Sequence, residues 1–168
     1  IVSPQNSVYS SDEKGVLYDK EKTELMAAPD GLRGEYTVPE GVTFISYDAF
    51  DGCSGLTRIY LPASLTGIGE QAFCGCTALE AIDIPSTVTW IGMGAFEKCG
   101  SFKEIQLPPA LKELGDYAFA DSGLTAVTVP EGYRQIPDGL FYDCKELKSV
   151  SLPASIESIG SEAFAGCD

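Results

Sequence analysis

The sequence predicts a solenoid in which parallel β-strands line one face, with short strands and 3₁₀ or single helical turns on the other. Three observations predict it. Prolines that follow an apolar residue recur at Pro39, Pro62, Pro85, Pro108, Pro130 and Pro153, at spacings of 23, 23, 23, 22 and 23 residues. Phenylalanines run in step with them at Phe50, Phe73, Phe96, Phe119, Phe141 and Phe164. The composition is that of an ordinary folded chain: 168 residues, 44% hydrophobic and 21% charged. That balance argues against intrinsic disorder. A period of 20–50 residues signals a solenoid, a propeller or an array, and a propeller blade needs ~40, so 23 residues leave room for one coil.

Each element follows from its spacing. Gly15–Pro29 reads as two short strands around the charged turn Asp19–Lys22, then a loop at Pro29-Asp30-Gly31. Tyr36-Thr37-Val38-Pro39 reads as the first of a series of strands. In Thr57–Leu61 the alternation points Ile59 and Leu61 inward and Arg58 and Tyr60 outward. Equivalent inward pairs are Ile82/Ile84, Ile105/Leu107, Val127/Val129 and Val150/Leu152, all branched aliphatics as a buried strand prefers. Proline then stops the strand because it has no N–H to donate. Leu65 and Ile68 re-enter the core, as do Val88 and Ile91. Gly69–Phe73 is long enough for one helical or 3₁₀ turn only. In the fifth unit the glycine opening this turn is Pro137, a residue suited to a first-turn position. Gly52, Gly75 and Gly166 fall just past the turn, where a left-handed stop is common. The 22-residue unit loses its residue in Ala120–Gly123, a turn. No coil can bury its own inner face, so stability must come from neighbour contacts, with Phe stacked on Phe.

The repeated unit reads I-G-x-x-A-F-x-G-C-x-x-L-x-x-I-x-L-P, shown almost complete in Ile68–Trp90. It resembles the BspA-type (Treponema pallidum-type) leucine-rich repeat over residues 45–168, with Gly15–Pro29 similar to an insertion common in that family. The resemblance implies a leucine-rich-repeat solenoid wound as a right-handed superhelix. Residues 1–44 are then a non-typical N-terminal repeat unit with a hairpin insertion. Residues 45–168 are tandem repeats, the last incomplete. The sequence departs from ordinary leucine-rich repeats in lacking an asparagine ladder: Asn6 is the only asparagine, and cysteine stands at a turn position instead. The chain starts at Ile1 with no signal peptide and stops inside a repeat, so we expect a piece of a longer protein with an unpaired edge near Ser149–Leu152. Either more chain follows, or residues 159–168 fray or pair with another molecule.

Charge and chemistry narrow the function. Asp and Glu number 25 against 11 Lys and Arg, a net charge of −14, which repels nucleic acid and anionic lipid. No apolar run approaches the ~20 residues of a spanning helix, so no membrane insertion is expected. With no histidine, Ser-His-Asp and Cys-His pairs and HExxH zinc sites are excluded. Cys53, Cys76, Cys99, Cys144 and Cys167 each lie three residues after the repeat Phe, with Ser122 in the sixth slot. A slot that accepts Cys or Ser wants a small inward side chain. Parallel thiols do not aim at one another for disulfides, and a straight ladder never converges on zinc. We therefore expect buried free thiols. Cys74 is the extra one, and Cys74-Gly-Cys76 is not the two-residue-spaced redox motif. Glu70, Asp116 and Asp138 before the Phe, and Asp51, Glu97, Asp121 and Asp143 after it, read as solvated loop charges. They form neither a glycosidase pair nor a calcium loop. No cofactor, metal or catalytic residue is expected.

The candidate binding residues are the outward columns. One reads Thr37, Tyr60, Asp83, Gln106, Thr128, Ser151; its neighbour reads Glu35, Arg58, Ala81, Glu104, Ala126, Ser149. Side chains that vary on a constant scaffold are how a solenoid displays a binding surface, although exposed positions also drift. Phe44, Gly67 and Trp90 form a further column, in which two aromatics flank a glycine and make a shallow apolar notch, or else pack partly buried against the corner. The expectation is a non-catalytic module of a surface or secreted bacterial protein that holds a protein or glycan, as a monomer or weak edge-to-edge dimer. The alternative is a structural spacer projecting another domain. An extracellular or cell-surface location and an adhesive role are what the resemblance implies.

Overall fold

The computed structural model describes residues 1–167 and contains no helix among them. A small antiparallel sheet comes first: β1 (Tyr9–Ser11), β2 (Leu17–Asp19) and β3 (Glu24–Ala27). Six coils follow, each with two strands. The strands are β4 (Arg33–Thr37) and β5 (Phe44–Ile45), β6 (Gly55–Tyr60) and β7 (Gly67–Ile68), and β8 (Ala81–Ile82) and β9 (Trp90–Ile91). They continue as β10 (Glu104–Gln106) and β11 (Glu113–Leu114), β12 (Ala126–Thr128) and β13 (Gln135–Ile136), and β14 (Ser149–Ser151) and β15 (Ser158–Ile159). The even-numbered strands from β4 stack in parallel on one face, and the odd-numbered ones from β5 stack at a corner. The β2–β3 hairpin is bent round the charged turn, and β3 runs parallel to β5, which extends the corner sheet to seven strands. Tyr18 and Tyr36 share a buried hydroxyl–hydroxyl hydrogen bond, and Tyr36 donates to Asp12 Oδ2 at 2.5 Å, fixing the hairpin to the first coil.

The stacked phenylalanines form the spine. Centroids of successive rings from Phe50 to Phe164 lie 5.0, 5.3, 5.5, 6.0 and 5.5 Å apart, with interplanar angles of 24° or less. These distances exceed the ~4.8 Å between paired strands, so the rings are offset rather than face to face, the arrangement their quadrupoles favour. The inward residues Ile59, Ile82, Ile105 and Val127 are buried; Val150 is half-buried and Leu152 exposed in the sixth coil.

The third side differs from the expected helical turns. Residues two before and two after each Phe are left-handed, for example Gln71 (φ 53°) and Gly75 (φ 69°) around Phe73. That alternation prevents a right-handed run. Alternate N–H groups donate to the next coil, as from Phe73 to Ala95 (2.8 Å), while those between close local turns, as from Cys76 to Phe73 (3.2 Å). Glycine fills five of these twelve left-handed slots; Asp48, Lys98, Tyr117 and Glu162 are among the others.

Neither sheet is continuous. On the strand face the ladder is interrupted between β8 and β10, just after Phe102 takes the buried position held elsewhere by Leu56, Leu79, Leu124 and Leu147. At the corner it is interrupted between β11 and β13. The corner break has a direct cause. Gly69, Gly92, Gly115 and Gly160 each donate N–H to the preceding coil, at 2.8–2.9 Å, and Pro137 in the same column has none to give. These glycines also sit where a Cβ cannot: one added to Gly92 falls 2.5 Å from Glu70 N, and one on Gly115 falls 2.3 Å from Met93 N. Tyr133 adds bulk in the inward column otherwise filled by Val42, Leu65, Val88, Leu111 and Ile156. Coils four and five consequently part at the corner, and the widest step of the Phe spine, 6.0 Å, lies at this junction.

Candidate binding faces

Register builds the strand face. Glu35 pairs with Arg58 and Thr37 with Tyr60, Glu104 with Ala126, and Gln106 with Thr128 and then Ser151. Arg58, Tyr60, Asp83, Glu104, Gln106, Thr128 and Ser151 are all exposed. The break after β8 divides them. In the N-terminal group Tyr60 donates to Glu35 Oε2 (3.1 Å), and the Arg58 guanidinium lies 5.6 Å from the Tyr60 ring centre. In the C-terminal group Glu104, Gln106 and Thr128 surround a shallow depression of about 440 Å³ floored by Ile105 and Val127.

Phe44 and Trp90 lie elsewhere, at the corner. The expected notch between them is closed. Gly67 leaves so little bulk that the two rings stack over it, 5.6 Å apart at 18°; a Cβ there would fall 2.9 Å from Phe44. Tyr47, 58% exposed, stands edge-on to both rings, at 6.2 Å from Phe44 and 6.1 Å from Trp90. Trp90 lines an open hollow of about 370 Å³ with Phe44, Tyr47 and Glu113. It also lines a larger cleft of about 770 Å³ that spreads over the break between coils four and five, with Met93, Glu113, Tyr133, Arg134 and Pro137 among its walls. The predicted columns thus form two separate faces. Tyr47, Met93, Glu113 and Tyr133 escaped sequence reasoning, although Pro137 standing in a glycine column was the available signal.

The thiols are structural. Cys53, Cys76, Cys99 and Cys144 are buried and free. Cys76 donates to Phe50 O and Cys99 to Phe73 O (both 3.2 Å), Cys144 to Phe119 O (3.1 Å) and Cys167 to Phe141 O (3.2 Å), so each bonds to the coil before it. Ser122 makes its contact with Cys144 Sγ at 3.3 Å. Burial pushes the Cys53 thiol up to about 11 and the Cys99 thiol up to about 12, the opposite of what a nucleophile requires. Half-buried Cys74 is likewise raised to about 11, by burial first and then by Glu97 and Asp51. Among the described residues no three His, Cys, Asp or Glu side chains converge on a metal position, and no helix is long and apolar enough to cross a membrane.

Residues 34–148 match six copies of the BspA type leucine rich repeat region. Among solved structures, a leucine-rich repeat protein from Bacteroides ovatus is 34% identical with a TM-score of 0.79, over 99% of this chain and 45% of that one. The T. pallidum leucine rich repeat protein TpLRR is 28% identical with a TM-score of 0.68, over 99% and 89%. The pneumococcal vaccine antigen PcpA is 25% identical with a TM-score of 0.77, over 96% and 39%. The chain therefore spans less than half the length of the Bacteroides and pneumococcal proteins. No curated protein matches it significantly.

Proposed function

The chain belongs to the BspA-type leucine-rich repeat family, and on that premise we propose that it is a non-catalytic binding module of a surface or secreted bacterial protein. It holds a protein or glycan ligand on the exposed strand face. One observation carries this reading: in a framework whose inward positions repeat, the outward column Thr37, Tyr60, Asp83, Gln106, Thr128, Ser151 changes chemistry at nearly every step and stays exposed. Such a stripe can be varied without disturbing the coils beneath it. A surface location is supported by the likeness to a pneumococcal vaccine antigen. The lack of catalysis is supported by buried, proton-holding thiols and by the lack of histidine.

Interferometry against host-matrix proteins and immobilised glycans tests the proposal. Binding should weaken about tenfold in Tyr60→Ala or Asp83→Asn, as loss of one anchor at a small interface does. Binding that ignores substitutions at Arg58, Tyr60, Asp83, Gln106 and Thr128 would remove the strand face from consideration, and no binding at all would favour a spacer.

A further inference from the structure

We propose that the corner, from Trp90 to the cleft over Pro137, is a second binding site that takes a neutral hexopyranose unit of a glycan. Three features of the corner combine. The first is a rigid aromatic wall. Trp90 is held by Phe44 stacked on one side and Tyr47 edge-on, yet it still lines both hollows. An aromatic ring of this kind receives the weakly positive C–H face of a pyranose on its negative π-face. The second is a place beside the wall. The cleft of about 770 Å³ lies in the ~300–1,000 Å³ range of small-ligand sites, and it exists because Pro137 and Tyr133 stop the fifth coil from closing on the fourth.

The third is the polar lining, which selects the ligand. Glu113 stands in register beside Trp90, and Lys112 and Asp116 line the same cleft, so acceptors and a donor share it with the aromatic ring. Hydroxyl groups, which both donate and accept, satisfy all of these at once. A sulfated or uronic glycan meets Glu70, Glu113 and Asp116 on a chain of net charge −14. A basic peptide meets Lys112 and Arg134 interleaved with those carboxylates, Arg134 being paired to Glu157. A neutral sugar meets neither penalty. This site is independent of the strand face, and either can fail alone.

Trp90 is the only tryptophan, so its fluorescence reports on the site without labels. The intact chain is titrated with maltohexaose, cellohexaose and mannohexaose, with a heparin hexasaccharide and oligolysine as charged comparisons. At least one neutral oligosaccharide should give a saturable emission change. Glu113→Gln, an exposed substitution that keeps the fold, should weaken it about tenfold. Trp90→Ala should abolish retention on the same sugar immobilised, and Pro137→Gly should weaken it by closing the cleft. Tyr60→Ala should change nothing at this site. The proposal is overturned if no neutral oligosaccharide perturbs Trp90, if only heparin or oligolysine does, or if retention survives Trp90→Ala and Glu113→Gln. Loss of sugar binding in Tyr60→Ala, with the corner variants unaffected, would assign the sugar to the strand face instead.

Discussion

Phe73 is fully buried with a parallel Phe ring on each side, at 5.0 and 5.3 Å, so its removal leaves a hole that neither neighbour can fill. Phe73→Ala should cost about 3–5 kcal/mol. Phe164→Ala, in a half-buried ring with Phe141 on one side, should cost clearly less; urea midpoints followed by Trp90 emission will compare the two. The thiols give a pH prediction. Burial raises Cys53, Cys76, Cys99 and Cys144 above the ordinary 9.0, so at alkaline pH the native state keeps protons that the unfolded chain releases. Their contribution is complete below pH 9.0 and is lost as pH rises toward 11 and 12, so the urea midpoint should hold steady at neutral pH and fall above about 9. A midpoint that rises there would contradict the burial of these groups. The need for a small side chain was legible from Ser122 standing in the cysteine column. The bond from Cys76 to Phe50 was not, because the acceptor lies 26 residues away and becomes a neighbour only after the coils stack.

At the scale of the element, the glycines that open four of the six turns, Gly69, Gly92, Gly115 and Gly160, are fixed by close approach rather than by φ. Gly92→Ala drives a Cβ to 2.5 Å from the Glu70 nitrogen and should destabilise by about 1–3 kcal/mol, whereas Gly100→Ala meets nothing within 4 Å and should change stability by under about 0.5 kcal/mol. Thermal melts of the two variants make the comparison. The strands were legible because Ile-x-Leu-Pro repeats with an inward–outward alternation that pairing then preserves, Ile59 on Ile82 and Val127 on Val150. The turn was not legible in detail. Gly52 and Gly75 marked its left-handed end, but Gln71 and Tyr117 adopt the same conformation without a glycine to announce it. Pro137 was readable as a residue that can open a turn. Its greater consequence, a missing donor to the coil before, depends on where the other five coils send that N–H.

Across the whole molecule, the two sheet breaks fall at different junctions. The third and fourth coils lose pairing on the strand face but keep it at the corner, from β9 to β11. The fourth and fifth lose it at the corner but keep it on the strand face, from β10 to β12. No junction loses both, and the phenylalanine spine runs through every one, so neighbour coupling passes along the stack while each face gains one irregular place. The cleft beside Trp90 lies over such a departure from the repeat, whereas the depression at Gln106 lies over the paired strands β10 and β12. A sequence pattern reports what recurs, which is why the scaffold was legible and the cleft was not.

Amide hydrogen exchange resolved by residue tests this account most directly. The corner amides of Thr66, Gly67, Thr89, Lys112 and Glu113, which bond to the preceding coil, should exchange slowly. Those of Arg134 and Gln135 have no such bond to Lys112 among the described residues and should exchange fast, then slow in Pro137→Gly. Equal protection at Lys112, Glu113, Arg134 and Gln135 in the unsubstituted chain would mean that the fifth coil closes on the fourth, and the corner cleft would not exist.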